Sequence, residues 1–310
     1  MYPKQKHFMM KKLILMLSVF QAVELSAQDT KIDSTKHWSI EGQNTLMLNQ
    51  AAFSNWVGGG ANTIGWLAGV NYSFTFKKDR NLLENNVVLG YGQNDTQGLG
   101  KRKSQDIINL SANYGYKIGR NWYVSSGAGL LTQFAAGYAD GNNPAAAKIS
   151  NFMAPGYLDL GAGFTYRPSE NFTMTLRPTN ARWTFVLYKD LQKAGNYGLK
   201  NDGDSSLFQF GFLGNAKYKV NLLENITLMN TASVFSDYLD HPERLVLSYG
   251  GILNMKVNKH ISTNITLDLF YDHNQIKRVQ LKQTLGVGFA YNIDNGVKFA
   301  EEKRNKDWKK

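Results

Sequence analysis

The segment from Val279 to Tyr291 decides the fold of this chain and has the sequence VQLKQTLGVGFAY. Successive side chains of a β-strand point to opposite faces of the sheet, so one face here is apolar apart from Gln283 and the other is polar or small. A strand of this length with two such faces suits a sheet with lipid on one side and water on the other. Only a closed sheet can cross a bilayer, because an open edge leaves backbone N–H and C=O groups unpaired in hydrocarbon.

The same alternation recurs along most of the chain and predicts about twelve strands. We place them at residues 38–50, 62–76, 83–94, 105–117, 121–134, 154–167, 171–187, 205–219, 225–238, 244–257, 260–272 and 278–292. Strands of a soluble β-sandwich, the alternative, are shorter, typically about 5–6 residues. The sequence therefore predicts an all-β protein, a transmembrane antiparallel up-and-down β-barrel of about twelve strands.

The predicted connections alternate between short and long, as they do where periplasmic turns are short and outer loops long. With an even number of strands, this pattern places both termini in the periplasm. One predicted outer loop spans residues 94–104. The pentapeptide Asn-Leu-Leu-Glu-Asn occurs at 81–85 and at 221–225, and both copies are predicted to supply the same turn chemistry on the periplasmic side.

The N-terminus predicts export. Lys11 and Lys12 precede an apolar run at 13–20, and Ala27 offers a small residue at a cleavage site, which is the pattern of a secretory signal peptide. The run is too short for a membrane anchor, which needs about 20 apolar residues. We therefore divide the chain into a cleaved signal peptide (1–27), a polar lead (28–37), an outer-membrane barrel (38–293) and a charged periplasmic tail (294–310).

Composition narrows the function classes. The chain has no cysteine, which excludes disulfides, thiolate metal sites, a cysteine nucleophile and a lipoprotein anchor. Its mean hydropathy is −0.37, a value compatible with a barrel because half of each strand faces a polar lumen. The formal net charge of +11 is spread over turns, loops and tail without a dense basic stripe, so we expect no nucleic-acid partner. Outer-membrane lipid and outer-membrane or periplasmic proteins are the expected partners, with no cofactor and no metal.

Charged residues on the predicted inward faces are the first candidate site. They are Glu41, Asp159, Arg177, Lys217, Asp268 and Lys282. One interpretation is a charged constriction that selects solutes. The other is internal pairing that makes the barrel rigid, which the presence of both signs favours.

Two Asp-His dipeptides form a second candidate site. Asp240-His241 and Asp272-His273 fall in neighbouring predicted outer loops, and a carboxylate beside an imidazole can activate water or bind a metal. The placement loosely resembles omptin-type surface proteases, although the second omptin pair is missing. The alternative is that these are ordinary solvated loop residues.

The first predicted outer loop carries Asn55-Trp56 followed by Gly58, Gly59 and Gly60. This motif, together with the closing segment 286–291, resembles an uncharacterised family of Bacteroidota outer-membrane barrels, domain of unknown function 3078, over residues 38 to 293. The resemblance implies a barrel and a surface location but no activity and no catalytic residues. Physically, Trp56 is suited to anchor the loop, and the glycines permit a tight fold.

Three functions follow as hypotheses for an integral outer-membrane barrel. The first is a passive or weakly selective channel. The second is a non-conducting structural or partner subunit of an outer-membrane assembly. The third is a surface hydrolase that uses the Asp-His loops; it is disfavoured because two dipeptides are its only sequence evidence.

Overall fold

The structure, a computed structural model, describes residues 37–51, 61–140, 146–258, 261–273, 276–295 and 297. These residues form strands β1 (Trp38–Ala51), β2 (Thr63–Lys78), β3 (Asn81–Thr96), β4 (Gly100–Lys117), β5 (Trp122–Thr132), β6 (Gly137–Tyr138), β7 (Lys148–Ser150), β8 (Gly156–Ser169), β9 (Phe172–Phe185), β10 (Ser206–Leu223), β11 (Ile226–Asp237), β12 (Val246–Lys256), β13 (Ile261–Asp272) and β14 (Ile276–Asp294). No helix in this described part of the chain is long and apolar enough to cross a membrane.

Twelve of the strands close into one antiparallel barrel. The first strand completes the ring by pairing with the last, with Glu41 opposite Asp294 and Leu48 opposite Val287. Strands β6 and β7 form a separate two-stranded sheet, so β5 pairs directly with β8. The predicted fold class and strand number are confirmed.

The two faces of each strand differ as the alternation predicts. On β14, Val287, Phe289 and Leu285 point outward and are 54%, 61% and 64% exposed, whereas Ala290 points inward and is 5% exposed. Aromatic pairs lie near the barrel end that carries Trp38 and Asp294, which we call the terminal end; Trp122 and Tyr166 are an example, with ring centroids 4.8 Å apart. An apolar exterior with such an aromatic girdle is the surface that a lipid bilayer requires of a barrel.

The predicted loop at residues 94–104 is wrong. Strand β3 continues to Thr96 and β4 begins at Gly100, so only a tight turn separates them, and both Gly98 (φ 84°) and Gly100 (φ 66°) have positive φ values that favour glycine. Within this hairpin Asp95 pairs opposite Lys101. The sequence pattern predicts a loop here because the strand ends are held by backbone hydrogen bonds and have no apolar face.

The shared turn chemistry of the repeated pentapeptide is also wrong. The first copy begins β3, after a turn made by residues 79–80, and its Leu82 is 1% exposed. The second copy ends β10 and supplies the turn itself, and there Leu222 and Leu223 are 52% and 61% exposed. The same five residues therefore occupy different positions, because strand pairing decides where each turn falls.

The barrel end opposite the terminal end carries a folded loop region. Strands β6 and β7 and the short 3-10 helices Lys189–Leu191 and Asn196–Gly198 belong to it. Four buried residues form its small core: Ala154, Val186, Leu191 and Leu199. The Lys148 ammonium donates to the Tyr188 hydroxyl at 2.9 Å, and this hydrogen bond raises the pKa of Lys148. We call this region the loop cap.

Candidate functional site

The barrel interior is the candidate site, and register alternation places the predicted charges in it. Inward-facing positions include all six charges singled out from the sequence: Glu41, Asp159, Arg177, Lys217, Asp268 and Lys282. The structure places them on inward faces, and their function as a selectivity site stays a prediction.

Asp159 is paired, and its partner is Arg182. Arg182 lies directly opposite on β9 and donates from Nε at 2.8 Å and from Nη2 at 3.3 Å to the two carboxylate oxygens of Asp159. The same guanidinium lies 3.9 Å from the ring centroid of Phe235. Sequence analysis missed Arg182, because the signal that could have found it is the β8–β9 register, which places opposite charges face to face.

Arg177 lies along the barrel wall. Its stem passes over Gly161 of β8 and its guanidinium over Gly127 of β5, since a Cβ at these glycines would come within 3.0 Å of Cδ and 2.2 Å of Nη2. The guanidinium then donates to Asn113 of β4 at 3.0 Å. The residue is only 7% exposed. Glycines on two successive strands therefore hold a long side chain flat, instead of leaving the lumen empty.

Two ion pairs bridge distant strands near the terminal end. Arg167 of β8 contacts Glu84 of β3, three strands away around the barrel. Lys219 of β10 lies 3.7 Å from Glu41 of β1, five strands away. Because each pair reaches across the interior, the passage at this level is limited by side chains. We call these two pairs the terminal constriction.

Lys282 makes a comparable contact farther toward the loop cap. It donates to Gln105 of β4, four strands from β14 around the ring. It also lies directly opposite Asp268 in the β13–β14 register. The charges predicted to pair inside the barrel thus do so in part with neutral amides rather than with carboxylates.

Solvent access divides the interior into two sides. On β5, β8 and β9 a group of inward polar residues is 0–9% exposed, which we call the packed wall: Ser125, Thr165, Thr175, Asn180 and Thr184. The Thr165 hydroxyl connects the strands of the packed wall, since it lies 2.9 Å from the Ser125 hydroxyl and 3.2 Å from the Thr175 hydroxyl.

A second set of inward residues faces open space. Lys217, Thr231, Gly250, Asp268 and Lys282 are register partners in one continuous row across β10 to β14. Of these residues, Lys217, Thr231 and Asp268 are exposed although they point into the barrel. We call this set the lumenal row. The lumenal row therefore presents ammonium groups, a carboxylate and a hydroxyl to the interior space of the barrel.

The Asp-His loops contain local contacts. The Nδ1 atom of His241 lies 2.9 Å from Glu243, and Asp240 lies 3.7 Å from Lys200. The Glu243 carboxylate accepts from its own backbone N–H and from His241, and both contacts lower its pKa. The Nδ1 atom of His273 lies 3.3 Å from the Tyr271 hydroxyl. Each imidazole therefore has a partner from its own loop, which is the arrangement of solvated loop residues.

Within the described ranges, no group of three or more His, Asp or Glu side chains is arranged to hold a metal ion. The predicted loop motif of Asn55, Trp56, Gly58, Gly59 and Gly60 lies outside the described residues. The same is true of the predicted signal peptide, of nearly all of the polar lead and of most of the charged tail. These predictions are left untested.

Residues 48–138 match a family described as "Protein of unknown function (DUF3078)". This match includes the Asn55-Trp56 motif and is shorter than the span of the resemblance stated above. No curated protein sequence matches the chain.

Solved barrels resemble the chain in fold at low sequence identity. An outer membrane channel from Pseudomonas putida F1 is 11% identical, with a TM-score of 0.39, and the alignment covers 87% of this chain and 100% of that one. The translocator domain of the autotransporter NalP from Neisseria meningitidis is 13% identical with a TM-score of 0.35, covering 90% and 97%. The NanC porin is 11% identical with a TM-score of 0.35, covering 81% and 98%.

Proposed function

We propose that this protein is an integral outer-membrane barrel whose interior forms a narrow channel for small polar solutes. The closed sheet with an apolar exterior supports the membrane location, since such a sheet pairs all its backbone groups within hydrocarbon. The observation that carries the channel function is the lumenal row, in which Lys217, Thr231 and Asp268 point inward and remain exposed. Charged side chains inside a sealed, dry barrel would be costly.

The terminal constriction sets the expected size limit. The Arg167–Glu84 and Lys219–Glu41 pairs cross the interior, so a permeating solute must pass beside them. A twelve-stranded barrel lies between eight-stranded barrels filled by side chains and the wide porins. We therefore expect a low-conductance passage for ions and small solutes, without a large open pore.

Recording in a planar bilayer tests the channel. The purified full-length mature protein is expected to give small, discrete conductance steps. The double variant Arg167→Ala/Glu84→Ala removes both halves of one crossing pair and leaves no unpaired charge, so its steps should be larger. The matched control Lys200→Ala/Asp240→Ala removes an ion pair in exposed outer loops and should leave the steps unchanged. Silent recordings from both the wild type and the Arg167/Glu84 variant would refute the channel.

A labelling experiment tests the orientation. We expect the terminal end, with its short turns, to face the periplasm. A cysteine at Asn201, in an exposed part of the loop cap, should react with an impermeant maleimide on intact cells, whereas one at Ser169, at the terminal end of β8, should react only after lysis. Labelling of the Ser169 variant on intact cells would reverse the orientation.

The second candidate is a non-conducting partner subunit. It is favoured by the loop cap, which has its own core and exposes Ile149 and Phe152, each 55% exposed. Apolar side chains displayed on a folded surface mark sites of protein contact. Silent recordings together with site-specific cross-linking from Ile149 to one defined protein in cells would select this function over the channel.

A further inference from the structure

Some charges inside the barrel are paired and others are not. Three carboxylates are each in contact with a cation, in the pairs Glu84–Arg167, Asp159–Arg182 and Glu41–Lys219. A fourth, Asp268, lies opposite Lys282. Two further inward cations, Arg177 and Lys217, have no carboxylate of the described chain within ion-pair distance. The buried carboxylate of Asp237 also points inward and accepts from Gln209. The charges without an ion-pair partner therefore have both signs, and the local surroundings of each one decide its effect.

Of these two cations, Lys217 is the one that solvent reaches. Arg177 is 7% exposed and bonded to Asn113 along the wall, so its charge is withdrawn from the passage. The Lys217 side chain is exposed to the space enclosed by the barrel wall rather than to the outer surface, and its charged neighbours are Glu84 and Arg167. Because Arg167 already contacts Glu84 directly, the charge of Lys217 is left largely uncompensated.

Lys217 also sits beside a hydroxyl donor. Thr231 is its register partner on β11 and is exposed as well. Its hydroxyl donates to the backbone oxygen of Gly250 at 3.2 Å, and rotation of the hydroxyl can exchange this bond for one to an anion. Because Gly250 has no side chain, none from β12 separates Thr231 from Asp268. An ammonium and a hydroxyl on neighbouring strands can together replace part of the hydration shell of an anion.

We infer that the passage selects anions over cations, with Lys217 as the charged group and Thr231 as the neutral contact of a permeating small anion such as chloride, a carboxylate or phosphate. This inference rests on the proposed channel. A fixed charge in a narrow passage selects by sign, because a permeating ion comes within a few ångströms of it before it is screened.

Reversal potentials in a potassium chloride gradient test the inference. The wild type should reverse toward the chloride potential. Lys217→Gln should lower the chloride-to-potassium permeability ratio about fivefold, the equivalent of ~1 kcal/mol, which is the interaction of two unit charges at about 4 Å in water. Lys217→Glu should shift the reversal potential further, toward potassium. Lys78→Gln changes the same charge at an exposed position near the terminal end of β2 and should behave as the wild type.

Asp268→Asn is the second variant and works in the opposite direction. It removes the exposed carboxylate of the lumenal row, so the preference for chloride should rise, and it keeps the inference testable if a Lys217 variant does not fold. A cation-selective wild type, or a Lys217→Gln ratio equal to that of Lys78→Gln, overturns the anion preference while leaving the channel intact. A lack of conductance in both the wild type and the Arg167→Ala/Glu84→Ala variant overturns the proposed function itself.

Discussion

Replacing Val287 with arginine should destabilise the barrel by ~2–4 kcal/mol. Val287 lies near the middle of β14, points outward and is 54% exposed. In a membrane this exposed surface is in contact with lipid. A charged arginine near the bilayer midplane must either lose its hydration or distort the bilayer so that water reaches it. The measurement is a urea unfolding titration of the protein refolded in lipid vesicles.

The matched control is Thr284→Arg on the same strand. Thr284 points inward and is bonded to Thr266 of β13, so its arginine would enter the polar interior. We expect a smaller loss of unfolding free energy, mainly from the lost hydroxyl contact. Equal losses for Val287→Arg and Thr284→Arg would mean that the two faces of β14 have been assigned incorrectly.

Gly127→Ala should cost ~1–3 kcal/mol, the usual penalty for adding an atom where none fits. The new Cβ would lie 2.5 Å from the backbone oxygen of Ala112 and 2.2 Å from Nη2 of Arg177. The guanidinium can swing away, but the strand backbone cannot. The variant should therefore lose stability and also displace Arg177 toward the passage. An unfolding titration measures the loss of stability, and a change in single-channel conductance reports the displacement of Arg177.

Gly129→Ala provides the comparison, because it makes the same substitution two residues farther along the same face of β5. There the added Cβ would meet only the backbone oxygen of Leu110, at 3.9 Å, an ordinary contact. We expect it to be neutral or to stabilise the protein by ~0.4–1 kcal/mol through the unfolded chain. If Gly127→Ala proves as well tolerated as Gly129→Ala, then Arg177 does not lie in a glycine track.

Local alternation was enough to predict the barrel. It identified twelve spanning strands and the two faces of segments such as β14, because lipid on one side and water on the other impose a period of two wherever the chain crosses the membrane. It failed beyond the membrane. It predicts a loop at the ends of β3 and β4, where hairpin residues such as Asp95 and Lys101 are in fact paired by backbone hydrogen bonds that need no apolar face.

Alternation also found the inward charges but not their partners. Asp159 and Arg177 were identified together, yet the residue that binds Asp159 is Arg182, and Arg177 instead lies over two glycines to reach Asn113. A pairing partner depends on the strand register. The register in turn depends on how neighbouring strands are staggered, and the alternation of side chains within one strand does not specify that stagger.

The amino-acid sequence therefore settled the class of fold, the number of strands and the face on which each side chain lies, since all three follow from the short-range period imposed by the solvent on either side of the wall. Closure of the barrel decided the rest. It brings β1 to β14 and Glu41 to Lys219, places the lumenal row on one hydrogen-bonded line, and leaves Lys217 exposed while it buries Arg177. These relations depend on the stagger of twelve strands around a ring, which side-chain alternation along a single strand cannot encode.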